Sequence, residues 1–340
     1  AQLAKSPSPE PVVSFGGVLN SGGHIHGGAV KLLHLRDGLP TDERNFNILY
    51  LVSSAQPAFA DDLVRHCKRA GIRFVWNQNG VAFPGWAGPE SERHNGPMRR
   101  LREQADFVVY QSAFCRESAE EFLGPSRVPS ATLVNPVRLD RFRPADPPSG
   151  GGPLRLLTLG THGYAERVLS AIRCVRVLRD MGTAATLTIA GKLEWPGGPD
   201  DVAAEIRACG LSDAVRVLPP FSQDEAVRLY QGHQILLHPK YLDPCPTVVI
   251  EALSCGLPVI GSASGGMPEL VPPGAGILTP APLVWDRMIT PSAEEQAAAV
   301  QTIAGDLPAF SRAARAHAEA HFDAQQWTNQ HRTILQGLLS

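Results

Sequence analysis

The sequence predicts an α/β protein with two doubly wound domains, and three observations support this fold class. Short apolar runs alternate with amphipathic segments throughout, which is the pattern of parallel sheets covered by helices. The 340 residues leave room for two domains of ordinary size. The alternation stops at residues 143–153, a stretch rich in proline and glycine, and then starts again. We therefore predict a first domain over 12–145 and a second over 146–320.

The first half of the chain carries the elements expected of one such domain. Residues 1–11 are rich in proline and serine, and we expect them to be a disordered tail. Amphipathic segments between the apolar runs indicate helices at 28–36, 57–70 and 112–123. The apolar runs predict strands at 12–15, 47–52, 72–76, 107–110 and 131–134.

The second half repeats the same pattern after the linker. Apolar runs predict strands at 154–159, 186–190, 215–218, 235–238 and 258–260, with helices between them. Residues 293–339 are expected to be mostly helical. Ligands bind at the carboxyl ends of the strands in doubly wound sheets, so we look for functional residues just after these runs.

Composition excludes several classes of protein. The net charge of −2 argues against a nucleic-acid-binding surface. The six cysteines form no Cys-x-x-Cys pair, which indicates reduced thiols and a cytoplasmic location. No apolar run approaches the roughly 20 residues of a membrane-spanning helix, and no signal peptide is evident, so we expect at most peripheral membrane contact.

The most informative segment is 238–270. Two carboxylates, Asp243 and Glu251, flank the start of a short apolar helix, and a buried strand and a Gly265-Gly266 turn follow. A helix N-terminus at the edge of a parallel sheet favours anions, because its N–H groups are free and the macrodipole is positive there. A carboxylate eight residues after the first lies about two helical turns along, where it suits the hydroxyls of a ribose or a sugar.

This segment resembles the donor-site signature of the retaining GT-B glycosyltransferases, glycosyltransferase family 4. That family carries two acids with seven residues between them, the second of which opens Glu-Ala-x-x-x-Gly-x-Pro-Val-(Ile/Val), followed by a Gly-Gly turn and a Glu. Here the acids are Asp243 and Glu251, the run is 251–260, and Gly265-Gly266 and Glu269 follow. The resemblance implies a GT-B fold, with two Rossmann-like domains facing across a cleft. It also implies that the C-terminal helix, over 321–340, packs back on the first domain.

The resemblance also implies which groups hold the donor diphosphate. The backbone N–H groups of Gly27 and Gly28, in a glycine-rich loop, occupy the place of the family's Gly pair. That loop holds no Gly-x-Gly-x-x-Gly, which argues against a dinucleotide enzyme. Thr161 stands where relatives usually have Arg, and Arg167 stands where they have Lys. We expect Arg167 to clamp the diphosphate, with Lys192 or His162 supplying the missing charge.

Other residues of the second half are expected to hold the sugar and the nucleoside. The resemblance implies that Asp243 orients the donor sugar and that Glu251 holds the ribose. Pro244 and Pro246 have no N–H, so backbone donation falls to the residues on either side of Pro246. These donors are Cys245, Thr247 and Val248; base contacts are expected at Leu218. The alternatives left open are an N-cap for Asp243 and exposed surface positions for Arg167, Lys192 and Glu251.

Three residues of the first half are candidate contacts to the acceptor or the sugar. His24 and His26 form a His-x-His pair, but no further ligands are evident, so we predict no metal site. Asn79 follows a predicted strand, where many relatives place a His; it is either such a contact or a loop amide without a ligand.

The resemblance implies a retaining hexosyltransferase that uses a nucleoside-diphosphate sugar, of the UDP or GDP type, with no cofactor. The family usually needs no metal, and no Asp-x-Asp is placed to bridge the diphosphate. The acceptor is a glycan, a lipid or a small metabolite. Two alternatives remain: a nucleotide-sugar isomerase or hydrolase of the same fold, and a catalytically weak nucleotide-sugar-binding module, which the loss of Arg at Thr161 keeps open.

Overall fold

The computed structural model describes residues 3–17, 27–145 and 152–340. It divides the chain into two compact units, each with its own parallel sheet. The first unit comprises 1–136, 284–288 and 322–340, and the second comprises 137–283 and 289–321. The first crossing therefore comes before the predicted linker at 143–153. The reason is that residues just after 136 bond to the second unit: Arg315 Nη1 donates to the Phe142 carbonyl at 2.8 Å.

The first unit is built on a parallel sheet in the order β2-β4-β5-β6-β7, beside a separate short pair of β1 with β3. Its strands are β1 (Ala4–Lys5), β2 (Val13–Ser14), β3 (Asn45–Phe46), β4 (Ile48–Val52), β5 (Arg73–Gln78), β6 (Phe107–Tyr110) and β7 (Ser130–Thr132). Its helices up to residue 123 are α1 (Gly27–Gly38), α2 (Ala60–Arg69), α3 (Pro84–Ala87), α4 (Ser91–Gln104) and α5 (Ala113–Leu123), with a 3-10 turn at Gly88–Glu90.

Both faces of this sheet are buried, which explains why its strands are continuous apolar runs. Leu49 and Leu51 of β4 point to one face, and they pack with side chains of α2, α4 and α5. Tyr50 and Val52 point to the other face, where they pack with α1 and the C-terminal helix. The alternation of side chains along a strand therefore fills two cores from one segment.

The N-terminal segment differs from the prediction. Residues 3–11 are not disordered: β1 pairs with β3, and Ser6 N donates to the Phe46 carbonyl at 3.0 Å. The buried Asn47 side chain donates from Nδ2 to the carbonyls of Ser8 and Glu10, at 3.0 and 2.9 Å. A proline- and serine-rich stretch is therefore held by strand pairing and by a buried amide, neither of which composition shows.

The second unit is built on a parallel sheet in the order β10-β9-β8-β11-β12-β13. Its strands are β8 (Leu154–His162), β9 (Ala185–Leu193), β10 (Val215–Leu218), β11 (Ile235–His238), β12 (Val259–Ala263) and β13 (Gly276–Pro280). Its helices are α6 (Glu166–Asp180), α7 (Gly198–Ala208), α8 (Gln223–Gln231), α9 (Thr247–Ser254), α10 (Met267–Leu270), α11 (Ala293–Gly305) and α12 (Leu307–His321). One face of the sheet packs its apolar side chains against α6 and α11.

The last helix, α13 (Ala324–Gly337), belongs to the first unit. Its buried Trp327 and Leu335 pack in the same core as Leu32 and Leu35 of α1. His331 on the same helix is fully buried, and its Nε2 lies 2.9 Å from the Tyr50 hydroxyl. The end of the chain therefore completes one face of the sheet with which the chain begins.

Candidate active site

The loop between β11 and α9 holds Asp243 at the carboxyl edge of the second sheet. Leu242 has a φ of +50°, unusual for a residue with a side chain, and it turns the loop away from the strand direction. Pro246 is the N-cap of α9 and carries no side-chain cap, so Asp243 is not the cap that was left open as an alternative. The Asp243 side chain is therefore committed to other partners.

The Gly265-Gly266 turn has a specific reason to be glycine. Gly265 has a φ of +65°, and a Cβ there would lie 2.4 Å from the Asp243 carbonyl oxygen. Gly266 N donates to that same carbonyl at 2.9 Å. The two loops therefore touch backbone to backbone, and the turn fixes the height of Asp243 above the sheet.

Asp243 is a buried carboxylate with two cationic or polar partners on one oxygen. Its Oδ2 accepts from Lys240 Nζ at 2.9 Å and from His238 Nε2 at 3.2 Å. Burial alone would raise the pKa of Asp243, but the Lys240 charge and the His238 hydrogen bond together hold this pKa well below its usual range. Within the described residues no hydrogen bond reaches Oδ1, so this oxygen is left for a ligand hydroxyl.

His238 is neutral at physiological pH and links Asp243 to Arg167. Burial lowers the His238 pKa to about 4, against the opposing effect of the Asp243 hydrogen bond. Because Nε2 donates to Asp243, Nδ1 is the acceptor, and Arg167 Nη2 approaches it at 3.4 Å. Neither His238 nor Lys240 was predicted as a site residue, although they stand five and three residues before Asp243 in the chain.

Arg167 lies at the start of α6 and is buried, which excludes the alternative of an exposed helix arginine. Its Nη1 donates to the Thr161 carbonyl at 2.8 Å, and its Nη2 donates to the Leu159 carbonyl at 3.2 Å. Burial lowers its pKa, against the opposing charge of Asp243. Both terminal nitrogens of the guanidinium thus donate to carbonyls at the end of β8. Its positive charge therefore acts on the site from beneath.

Thr161 and Lys192 lie side by side at the ends of β8 and β9, where the two strands pair residue to residue. This approach needs glycine, because a Cβ on Gly191 would lie 2.1 Å from the Gly160 carbonyl oxygen. The Lys192 side chain is 60% exposed and pairs with Glu194 at 2.8 Å. Lys192 is therefore an exposed, ion-paired cation beside the position of the missing Arg.

His162 was the other candidate for that charge, and the structure excludes it. The side chain is fully buried, and burial, with the nearby Arg167 charge, lowers its pKa well below the usual value. A neutral buried imidazole carries no charge to a diphosphate.

Glu251 lies inside α9 and is only 4% exposed, which excludes the alternative of a surface position. Its Oε2 accepts from the Tyr230 hydroxyl at 2.8 Å. Burial raises the Glu251 pKa to about 7, partly opposed by the Tyr230 hydrogen bond and the Arg141 charge. Tyr230 was missed by the sequence analysis because it lies on α8, in a different part of the sequence.

The remaining candidates of the second unit surround these groups. Cys245 is buried, and Thr247 and Val248 form the first turn of α9. A Cβ on Gly160 would lie 3.6 Å from Val248 Cγ1, so the end of β8 meets this turn. Leu218 ends β10 and lines, with Lys192, a cavity of about 470 Å³.

The candidates of the first half lie in the other unit. Gly27 and Gly28 are the first two residues of α1. His24 and His26 lie outside the described residues. Asn79 is held on both ends of its amide: Oδ1 accepts from Lys31 Nζ at 2.6 Å, and Nδ2 donates to Ser54 Oγ at 2.5 Å.

Lys31 is a buried lysine that the sequence analysis missed. It is 2% exposed, and its Nζ also donates to Asn77 Oδ1 and Gln111 Oε1, both at 3.0 Å. The available signal was a lysine inside the apolar run of α1. Where residues are described, no group of three or more His, Cys, Asp or Glu side chains is placed to hold a metal ion. None of the described helices is long and apolar enough to cross a membrane.

Residues 142–289 match the model of the family "Glycosyl transferases group 1". A D-inositol 3-phosphate glycosyltransferase of Mycobacterium sp. (strain JLS) is 30% identical over 209 residues, which are 54% of this chain and 44% of the relative. A protein of the same name from Frankia alni is 26% identical over 304 residues, which are 75% of this chain and 70% of the relative. The chain thus spans less than half the length of the Mycobacterium relative.

Two solved structures show the fold. The Anabaena protein Alr3699/HepE, in complex with UDP and glucose, has a TM-score of 0.74 at 16% identity and covers 96% of this chain and 99% of its own. Sucrose-phosphate synthase from Thermosynechococcus elongatus has a TM-score of 0.69 at 17% identity, covering 92% and 77%. The GT-B fold class predicted from the sequence is confirmed.

Over residues 142–289 the chain is similar to the glycosyl transferases group 1 family, the class of enzyme that the acids at 243 and 251 and the Gly-Gly turn indicated.

Proposed function

We propose that the protein transfers a sugar from a nucleoside-diphosphate sugar to a hydroxyl acceptor, with retention at the anomeric carbon. One observation carries this proposal. At the carboxyl edge of the second sheet, Asp243 is held ionised with one oxygen that accepts no hydrogen bond from the described residues, and Glu251 lies buried in α9, eight residues further along the chain. Two carboxylates of such different ionisation suit two different sets of hydroxyls.

Asp243 orients the donor sugar in this scheme. A carboxylate only accepts hydrogen bonds, so its unoccupied Oδ1 fits a sugar hydroxyl. Lys240 and His238 on Oδ2 prevent rotation of the group and keep it charged. A fixed, ionised acceptor needs no reorganisation when positive charge builds on the sugar ring, which is the condition for electrostatic stabilisation.

Glu251 holds the ribose. Tyr230 occupies its Oε2, and the nucleoside hydroxyls gain most from the group when it is ionised. The donor is of the UDP type in this proposal, supported by the UDP and glucose named in the Anabaena neighbour. The apolar cavity that Leu218 and Lys192 share accommodates the base.

The departing diphosphate is stabilised by Lys192 and by the free N–H groups of the first turn of α9, without a metal ion. Arg167 adds charge from beneath. Helix N-termini and cations are the usual groups for a developing phosphate charge.

Of the acceptor classes, we favour a small metabolite over a glycan or a lipid, because the relatives from Mycobacterium and Frankia are named for an inositol phosphate acceptor. The six free cysteines support a reducing compartment, and we place the reaction in the cytoplasm.

Thermal unfolding with UDP, GDP, ADP and TDP tests the donor site. At a hundredfold excess over its Kd, one nucleotide should stabilise the parent protein by about 2.7 kcal/mol. The same nucleotide should stabilise Glu251→Gln much less, while the exposed control Glu319→Gln should respond like the parent. No response to any nucleotide at millimolar concentration would refute the donor site.

A nucleotide-sugar-binding module without turnover is the second candidate. Thr161 in place of Arg, together with the inward bonds of Arg167, favours it. The assay uses the sugar donor of whichever nucleotide stabilises the protein and measures release of the free nucleotide. A transferase would consume this donor, whereas a binding module would bind it and leave it intact.

A further inference from the structure

A second cavity of the same unit, of about 650 Å³, lies on the sheet beside α8. It is lined by side chains of β8, β9, β10 and α8 and by the residues just before β11. None of Asp243, Glu251 and Lys192 lines it, but Leu218, Pro219 and Pro220 line both this cavity and the cavity assigned to the base. Its volume is within the range of small-molecule sites, which is roughly 300–1,000 Å³.

The sequence of β9 already sets this face apart. Leu187 and Ile189 are buried in the main core, whereas Thr186 and Thr188 on the opposite face are only partly buried. A parallel strand covered on both faces is normally apolar throughout. The alternation therefore marks a sheet face without full helical cover.

The sheet topology explains why this face is open. Helix α8 leaves β10 at the edge of the sheet and leads to β11, passing over β9 and β8. Nine residues of helix span only about 14 Å, and one helix cannot cover the full width and length of three strands. The uncovered part is the cavity.

Three arginines converge on the cavity: Arg155 from β8, Arg216 from β10 and Arg228 from α8. Arg155 donates from Nε to the Gly232 carbonyl at 2.8 Å, which leaves its two terminal nitrogens. Arg216 and Arg228 are exposed, and neither forms an ion pair with any carboxylate of the described chain.

The carboxylates that line the cavity are already engaged. Asp213 pairs with Arg179 at 3.0 Å, outside the cavity. Glu225 closes the capping box of α8, where Oε2 accepts from both the backbone and the hydroxyl of Ser222, at 2.7 and 2.8 Å. Three arginines line the cavity against these two carboxylates, so the charges of its lining residues add up to a net positive charge even with Glu225 ionised near Arg228.

The pKa of His233, in the wall of the cavity, is affected by two of these arginines. Its Nδ1 donates to the Leu229 carbonyl at 2.5 Å, so Nε2 accepts from the Thr188 hydroxyl at 2.7 Å. Burial lowers the His233 pKa, and the Arg155 and Arg216 charges lower it further. Both guanidinium groups are thus close enough to act on a group in the wall of the cavity.

We propose that this cavity is a second anion site, separate from the donor site, which binds a small molecule that carries a phosphate group. Guanidinium groups bind phosphate oxygens through paired N–H groups, which a single lysine cannot do. Three of them around one cavity can hold one phosphate from several sides, and the open volume beside them takes the rest of the molecule.

The test is titration with inorganic phosphate, followed by calorimetry at constant ionic strength with chloride as the balancing anion. The double variant Arg216→Gln/Arg228→Gln should bind phosphate at least tenfold more weakly than the parent. The control Arg176→Gln removes an exposed arginine of α6 that pairs with Asp180 and does not line the cavity, and it should change the Kd less than twofold. Equal losses in both variants, or none in the double variant, would overturn the proposal; unchanged thermal unfolding shows that both variants are folded.

A second arm separates this site from the donor site. The variant Glu251→Gln, which should weaken UDP binding, should leave the phosphate binding that depends on Arg216 and Arg228 unchanged. Loss of that phosphate binding in Glu251→Gln would make the cavity part of the donor site and overturn the inference. If UDP fails to bind at all, the proposed donor site fails, and the comparison of the arginine variants still decides about the cavity.

Discussion

The two units place buried charge at the same edge of the same kind of sheet, but they handle it in opposite ways. In the second unit, Asp243 and Glu251 each keep one side of the carboxyl engaged by protein donors. In the first unit, Lys31 donates to three amide oxygens, which matches the three N–H bonds of an ammonium group. The comparison teaches that burial of a charge does not by itself mark a ligand site: the second edge has acceptor capacity left for hydroxyls, whereas the first uses its cation to order its own amides.

The largest expected effect is on Asp243. Asp243→Asn keeps the shape and removes the charge, so kcat/KM for the donor should fall about a hundredfold or more, the usual loss when a preorganised polar group is removed. UDP affinity should stay within threefold, because the proposed contact is to the sugar. Steady-state kinetics and a UDP titration measure the two quantities. An unchanged kcat/KM would show that Asp243 does not act on the donor sugar.

The next effect is a pH dependence that belongs to Glu251. Its pKa is raised by burial from 4.5 to about 7 in the folded protein, so the folded state binds the proton more tightly than the unfolded chain. Between these two values the free energy of unfolding falls as pH rises, by about 3 kcal/mol in total, and it levels off above pH 7.

Denaturant unfolding of the parent and Glu251→Gln from pH 4.5 to 8 measures this term. The variant cannot ionise, so the difference in stability between the two proteins should shift toward the variant as pH rises. The exposed control Glu319→Gln should follow the parent. Parallel profiles for Glu251→Gln and the parent would show that Glu251 titrates normally.

Lys31→Met sharpens the contrast from the other side. Three amide oxygens would lose their charged donor, and we expect the protein to be destabilised by about 2 kcal/mol. UDP affinity should not change, because these contacts lie within the first unit. Lys68→Met is the matched control, since Lys68 is a surface residue that pairs with Asp106, and its loss should cost less than about 1 kcal/mol.

The smallest effect is expected at Lys192. Lys192→Gln should lower kcat about tenfold, and Lys192→Arg should restore most of it, because the charge beside Thr161 is what the diphosphate requires. The effect should weaken at high salt, as an exposed charge is screened. If Lys192→Gln is as active as the parent, Lys192 does not stabilise the departing diphosphate. That role would then fall to the N-terminus of α9 and to Arg167.

Much of the two sheets could be predicted because many of their strands are short runs between clear turns. The predicted bounds of β6, β10 and β11 are those of the structure. Strand β13 was missed, since glycine and proline at both ends of Gly276–Pro280 hide it, and only pairing with β12 forms it. Residues 3–11 were wrongly predicted to be a disordered tail, because they too are ordered by pairing with a strand far away in the sequence.

The sequence by itself determined the fold class and the resemblance to a glycosyltransferase family, because both depend on order and spacing along the chain: strands alternate with helices, and Asp243 and Glu251 stand eight residues apart. Only the tertiary structure decided what each charge does. Arg167 turned inward, His162 became neutral, and Tyr230 and His238 joined the acids, because ionisation and hydrogen bonding are set by burial and by neighbours from other elements. Spacing is written in the chain, whereas the partners that fix a buried charge are brought together only by folding.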